Sequence, residues 1–154
     1  MREIKFRGKR VDNGEWVEGS LFNKIKLDRK GNHIIETNIY VRFPERMDYF
    51  RFTGYIVYNE YYEVIPETVG QFTGLKDKNG KEIYEGDIIE SNGIDGYCLW
   101  LVKFTEEPSS CVMGFICEPI NREDISPVHN HVWYKGEIID NIYDNPELLE
   151  KEGR

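Results

Sequence analysis

Short runs of β-branched and aromatic residues, separated by turns rich in glycine and asparagine, most strongly limit how this 154-residue chain can fold. Glu3–Arg7 alternates polar and apolar residues, which is typical of a half-buried strand. Asp12–Gly14 predicts a turn, because Asn and Gly tolerate positive φ angles. Glu15–Phe22 then predicts the returning strand, so the chain is expected to open with a β-hairpin.

The same pattern continues along the rest of the chain. Arg29–Asn32 predicts a turn between strands at Leu21–Leu27 and His33–Val41. Asn79-Gly80 predicts a tight turn ahead of the apolar positions in Lys81–Glu90. Later strands are predicted at Leu99–Phe104, Cys111–Cys117, His131–Tyr134 and Glu137–Ile142.

Only the C-terminal end is predicted to be helical. Asp144 or Asn145 can cap a helix, Pro146 suits its first position, and Glu147 complements the helix dipole. The expected fold is therefore mostly β, with coiled or branched antiparallel sheets or a small barrel, and with a short C-terminal helix. Residues 1–154 are expected to form a single compact unit, or two β lobes at about 1–70 and 71–154, because similar hairpins begin both halves.

The composition excludes several classes of protein. No segment holds the roughly 18 consecutive apolar residues that a membrane span needs. The start of the chain is basic and polar, unlike a signal peptide, so the cytoplasm is the expected location. Cys98, Cys111 and Cys117 are odd in number and widely spaced, which favours buried free thiols over disulfides or a zinc site.

The net charge of -8 is distributed unevenly along the chain. Residues 1–30 hold nine Lys/Arg against five Asp/Glu, whereas residues 82–154 hold five against sixteen. The acidic half repels nucleic acid phosphates, so nucleic acid is an unfavoured partner. A basic start and an acidic end permit head-to-tail self-association. The alternative is that both are ordinary solvated faces.

Residues 40–62 carry nine aromatic side chains, more than one modest pair of strands can bury. Some of these rings are therefore expected at a surface or between subunits. Arg42, Arg46 and Arg51 interleave with them, which would also suit single-stranded nucleic acid. Acidic residues balance those arginines, which favours a protein interface. The candidate interface residues are Tyr49, Phe50, Arg51, Tyr55, Tyr58 and Tyr61.

The run Gln71–Ile88, QFTGLKDKNGKEIYEGDI, closely resembles the signature of the YopX family. The opening stretches Ile4–Gly8 and Glu15–Leu21 and the closing stretch Asn141–Leu149 are similar to that family's start and end. The resemblance implies a protein encoded by a phage or prophage, a largely β fold of coiled and branched sheets, and a tendency to form homo-oligomers. It implies no biochemical activity and supplies no catalytic residues.

The central motif also has a physical interpretation. Asn79 and Gly80 are expected to fix the turn, Gly86 to permit a bulge or a close backbone approach, and Asp87 to hold a loop. Tyr84 belongs to the same structural motif. A Gly-Asp pair followed by two aliphatic residues is also common in SH3-like barrels, an analogy of fold that does not transfer function.

Few residue patterns suggest chemistry. His129 and His131 could share one face of a strand, and a metal site would need a third ligand such as Asp124, Asp140 or Cys117. No nucleophile elbow, phosphate loop or dinucleotide-binding glycine pattern is present in the sequence.

The expected function is that of a non-enzymatic accessory protein without metal or cofactor. It would self-associate and bind a host or phage protein in the host cytoplasm. A nucleic-acid-binding β module and a metal-dependent hydrolase using His129 and His131 are the alternatives.

Overall fold

The computed structural model describes residues 3–48, 56–93, 96–106, 114–127 and 132–149. These residues contain ten strands, in the mostly β arrangement that the sequence predicts. The strands are β1 (Phe6–Lys9), β2 (Trp16–Leu27), β3 (His33–Asp48), β4 (Ile56–Glu63), β5 (Gly70–Lys76), β6 (Glu82–Tyr84), β7 (Asp87–Gly93), β8 (Gly96–Thr105), β9 (Gly114–Pro119) and β10 (Glu137–Asn141).

Helical structure within these described ranges is short. One helical turn, α1, spans Val132–Lys135, and two 3₁₀ segments span Pro66–Thr68 and Pro146–Leu149. The strand predicted at His131–Tyr134 is therefore wrong from Val132 onward, because a helical turn places the Trp133 ring inside the core, 1% exposed. No helix in the described ranges is long and apolar enough to cross a membrane.

The predicted short C-terminal helix is a 3₁₀ segment instead. The side-chain oxygen of Asn141 accepts hydrogen bonds from the backbone N–H groups of Tyr143 and Asp144, each at 3.0 Å. This arrangement closes a turn directly before Pro146. The segment that follows is too short to offset the cost of starting an α-helix.

The chain divides into two compact units, one of residues 4–71 and one of residues 72–154 together with 1–3. In the 4–71 unit the strand order is β4-β3-β2-β1, and the first residues of β5 pair with β1 through Phe6 and Gln71. The side chains of Ile39 and Val64 form its buried centre. A Cβ at Gly8 would lie only 3.1 Å from the Cβ of Val64, so glycine allows this close packing.

In the 72–154 unit the strand order is β10-β7-β8-β9, and β6 pairs with the rest of β5. All described pairings between strands are antiparallel, and both sheets end in edge strands. The small barrel is therefore not formed by the described strands. The core of this unit comprises Ile83, Ile89, Cys98, Trp100, Val102, Cys117, Trp133 and Ile138.

Candidate interaction surface

Strands β2 and β3 extend further than their neighbours in the sheet. They pair continuously from Ser20↔Tyr40 to Leu27↔His33, whereas β4 joins β3 only from Asn38 onward. The described pairing of β1 with β2 stops at Gly19. The carbonyl of Thr37 accepts the last hydrogen bond from that side, from the N–H of Val64 at 2.9 Å. Residues 23–37 consequently form a two-stranded ribbon that extends past the third strand, and we call it the β arm.

Apolar side chains on the β arm face solvent. Ile25 and Ile35 lie opposite each other and are 65% and 66% exposed, and Leu27 is 66% exposed. Side chains alternate between the faces of a strand, so these residues continue the face on which Ile39 is fully buried. Ile34, on the opposite face, is also exposed. After one polar pair, Asn23↔Thr37, apolar side chains therefore reappear on this face past the point where this unit covers it.

The tip of the β arm is a tightly hydrogen-bonded turn. Asp28 Oδ1 accepts from the backbone N–H groups of Lys30 at 2.7 Å and Asn32 at 2.8 Å. The side-chain amide of Asn32 donates to the other carboxylate oxygen and, with those backbone donors, lowers the pKa of Asp28. Gly31 takes the positive φ, +82°, that the turn requires.

The β arm is also basic. It contains four Lys/Arg against two Asp/Glu. Of the two carboxylates, Asp28 is bound in the turn and Glu36 is paired with Lys26. Lys24 Nζ donates to the hydroxyl of Tyr61, not to a carboxylate, at 3.1 Å. Arg29 and Lys30, at the tip, make no ion pair with a carboxylate of the described residues and remain available to an acidic partner.

The six candidate interface residues fall mostly outside the described parts. Tyr49, Phe50, Arg51 and Tyr55 lie in a stretch that the structure does not describe, and Tyr58 lies in β4 with its side chain outside the described part. Tyr61 is described and is 49% exposed. Its ring packs edge-on against Phe22, with 5.7 Å between centroids. This ring pair stands beside the β arm.

Rings and cations are also paired on β1 and β2. The guanidinium carbon of Arg7 lies 4.7 Å from the centre of the Trp16 ring, and Lys9 Nζ lies 5.5 Å from it. Trp16 and Phe22 are six residues apart on β2, so alternation puts their side chains on the same face. The face that carries Tyr61 and Phe22 therefore also carries Trp16.

A second aspartate-centred turn precedes β6. Asp77 Oδ1 accepts from the backbone N–H groups of Asn79 and Lys81, each at 2.9 Å, and Gly80 has φ +84°. Asp77 Oδ2 accepts from the N–H of Ile138, on the edge strand β10, at 3.1 Å. Burial raises the pKa of Asp77, but these backbone donors together outweigh it and leave the pKa below its ordinary value. Sequence reasoning identified Asn79 and Gly80 and missed Asp77.

The remaining residues of the motif are packed around β7. Tyr84 is buried beside Phe72, and its backbone N–H donates to Asp87 Oδ2 at 2.8 Å. Gly86 has φ +85°, and a Cβ there would lie 2.8 Å from the Tyr143 ring. The arrangement explains why this stretch needs glycine and aspartate for structural reasons.

The histidines and cysteines are the residues for which the sequence raised metal binding or thiol chemistry. His129 and His131 lie outside the described residues, so the metal hypothesis stays a prediction. Elsewhere, within the described ranges, no group of three His, Cys, Asp or Glu is placed to hold a metal ion. Cys98 and Cys117 are buried free thiols, as predicted, and burial raises the pKa of each. Cys111, the third cysteine of that prediction, lies outside the described residues. A raised thiol pKa suppresses the reactive thiolate.

Comparisons with known proteins place the chain in a family. A solved structure, protein EF1440 from Enterococcus faecalis, is 23% identical, and the alignment covers 97% of this chain and 99% of that chain with a TM-score of 0.47. Among curated proteins, none matches. The family model described as YopX protein matches residues 5–150. Because that match spans nearly the whole length, the chain belongs to the YopX family.

Proposed function

We propose that this chain is a phage-encoded, non-enzymatic accessory protein that self-associates and binds a second protein, of phage or host origin, in the host cytoplasm. The uncovered apolar face of the β arm is the observation that carries the binding role. Phage origin and cytoplasmic location rest on the family likeness and on the sequence.

The β arm favours a protein partner for energetic reasons. An isolated two-stranded ribbon is at best marginally stable in water, so apolar side chains placed on one gain from being covered. Full burial of an Ile or Leu side chain contributes about 1.5–3 kcal/mol. Because Ile25, Leu27 and Ile35 are mostly exposed, a partner that covers them would still gain most of that free energy at each. Exposed apolar strands are also surfaces that pair readily with other chains.

Light scattering across a micromolar concentration range tests the self-association. We expect a mass above the 18.2 kDa of one chain for the wild type, and a mass close to one chain for Ile25→Glu combined with Ile35→Glu. Val11→Glu is the matched control, because Val11 is exposed in the same unit but lies outside the β arm. A wild-type mass of 18.2 kDa at every concentration contradicts the proposal.

A second candidate function is single-stranded nucleic acid binding, which the shared face of Trp16, Phe22 and Tyr61 favours. Rings with adjacent cations stack on bases, and Arg7, Lys9 and Lys24 lie against these rings. This function requires retention of an oligonucleotide that weakens with salt. It also requires loss of retention in Trp16→Ala combined with Tyr61→Ala. No retention at low salt contradicts it.

A further inference from the structure

We infer that the β arm of one copy docks on the acidic 72–154 unit of a second copy, so that copies associate head to tail. This docking mode rests on the proposed self-association and adds the two surfaces that meet. The arm supplies exposed aliphatic side chains and uncompensated positive charge. The second copy supplies negative charge and exposed aromatic rings.

The charge on the β arm selects against a second arm as the partner. After Glu36 is paired with Lys26 and Asp28 is bound in the turn, Arg29 and Lys30 dominate the tip. Two arms side by side would bring these like charges together, which disfavours the contact. A negatively charged surface would instead attract Arg29 and Lys30.

The 72–154 unit has the complementary charge. Residues 72–154 hold seventeen Asp/Glu against eight Lys/Arg. Three of its cations are already committed within the described residues, because Lys78 pairs with Glu137, Lys103 with Glu118 and Arg122 with Asp124. The surplus of nine carboxylates gives residues 72–154 a negative field, which raises the rate at which a basic arm arrives.

The same unit places an exposed ring, backed by a partly buried one, next to carboxylates. Phe104 on β8 is 40% exposed and packs edge-on against Phe115 on the edge strand β9, with 5.2 Å between centroids. The backbone N–H of Phe104 donates to Glu85, and Glu106 follows two residues later. This surface, aromatic with carboxylates at its border, is complementary in apolar character and in charge to the β arm, which is aliphatic with lysines and an arginine at its border. Phe104 and Phe115 are accordingly the acceptor that we assign to the arm.

Unlike surfaces that meet in this way make a heterologous contact, which produces rings or open chains rather than a two-fold dimer. Each copy then has one donor arm and one acceptor surface. Loss of either surface blocks growth, and two copies that have lost different surfaces still retain one complete contact between them. This property separates head-to-tail docking from arm-to-arm pairing.

Mixing complementary variants tests the docking. The arm variant carries Ile25→Glu and Ile35→Glu, and the acceptor variant carries Phe104→Glu. We expect each alone to scatter as a single chain of 18.2 kDa and an equimolar mixture to form a two-chain complex. A second pair, Arg29→Glu with Lys30→Glu against Glu106→Lys, changes only exposed charges and covers the case in which Phe104→Glu does not fold. Because the reversed charges also attract each other, the mixture of this second pair should form complexes of two or more chains.

The outcomes are distinguishable. A two-chain complex in the mixture, weakened by salt for the wild type, supports the docking. An arm variant that associates as strongly as the wild type overturns the docking and leaves self-association intact. Monomeric variants whose mixture stays monomeric, in both pairs, overturn the head-to-tail mode. A wild type that is itself monomeric overturns the proposed self-association and the docking together.

Discussion

Two turns of this chain share a backbone design and differ in their surroundings. Asp28 in the β arm and Asp77 before β6 each accept, through Oδ1, the backbone N–H groups two and four residues later. Each turn also places a glycine three residues after the aspartate at nearly the same φ, +82° for Gly31 and +84° for Gly80. The second carboxylate oxygen differs, because Asp28 binds the nearby side chain of Asn32 and Asp77 binds the backbone of Ile138.

The difference shows that one local motif can form either an isolated turn or a turn bonded to a distant strand. At Asp28 all hydrogen bonds stay within five residues, so the turn shapes a tip without attaching it to anything. At Asp77 one bond reaches a residue 61 positions later in the chain, so the turn is joined to β10. The first turn presents a ribbon to solvent, and the second holds a sheet together.

The largest expected effect is that of removing the Asp77 carboxylate. Asp77→Ala leaves the buried N–H of Ile138 and the two N–H groups of the turn without their acceptor. Buried donors left unsatisfied cost about 1–3 kcal/mol, so we expect a loss of about 3 kcal/mol in the free energy of unfolding. Urea denaturation measures it. A loss no greater than that of Asp28→Ala would contradict the distinction between the turns.

Protonation of Asp77 should have a similar but smaller effect. Its pKa is lowered in the folded state, so the carboxylate stabilises the fold above the unfolded value of about 4, and this stability is lost as the pH falls through the folded value. Asp77→Asn lacks the ionised form. We expect the difference in unfolding free energy between wild type and this variant to be constant from neutral pH to about pH 5 and to shrink below about pH 4. If the difference in unfolding free energy did not change with pH, the ionised carboxylate of Asp77 would not be what stabilises the fold.

Alanine substitutions at the two turn glycines should also lower the unfolding free energy unequally, by smaller amounts than the loss of the Asp77 carboxylate. An alanine at Gly80 must adopt a positive φ, which costs about 1–2 kcal/mol. We expect that full cost in the unfolding free energy of Gly80→Ala, because this turn is joined to β10. Gly31→Ala should cost less, because the arm can fray locally and relieve the strain. Equal losses in thermal unfolding would indicate that the arm unfolds with the rest.

The smallest expected effect is that of Asp28→Asn. The change keeps an acceptor at Oδ1 and alters only the bond to Asn32, which lies at the exposed tip. We expect no resolvable change in thermal unfolding, together with faster hydrogen exchange at the amides of Lys30 and Asn32. A lower unfolding temperature would show that the tip contributes to the stability of its unit.

Much of the fold could be predicted from residue alternation and turn chemistry. The strands around Leu99–Phe104 and Glu137–Ile142 are present as β8 and β10, and the hairpin turns lie where Gly and Asn predict them. The exception at Trp133 arises because packing of one large ring overrides local preference, and local sequence does not encode it.

The candidate surface was less predictable. Alternation in β2 and β3 shows that Ile25 and Ile35 share a face, but it does not show that the third strand ends before reaching them. The sequence predicts the surface among the aromatic residues of 40–62, of which Tyr40, Tyr61 and Tyr62 are described with their side chains. The role of Asp77 depends on Ile138, a contact too distant in the chain for pattern reasoning to find.

Hydrogen exchange at the β arm, compared at low and high micromolar concentration, tests most directly whether another copy covers it. We expect amides of residues 23–37 to become more protected as concentration rises, while those of residues 77–81 remain unchanged as an internal reference. Arm amides that exchange at the same rate at every concentration would contradict this expectation.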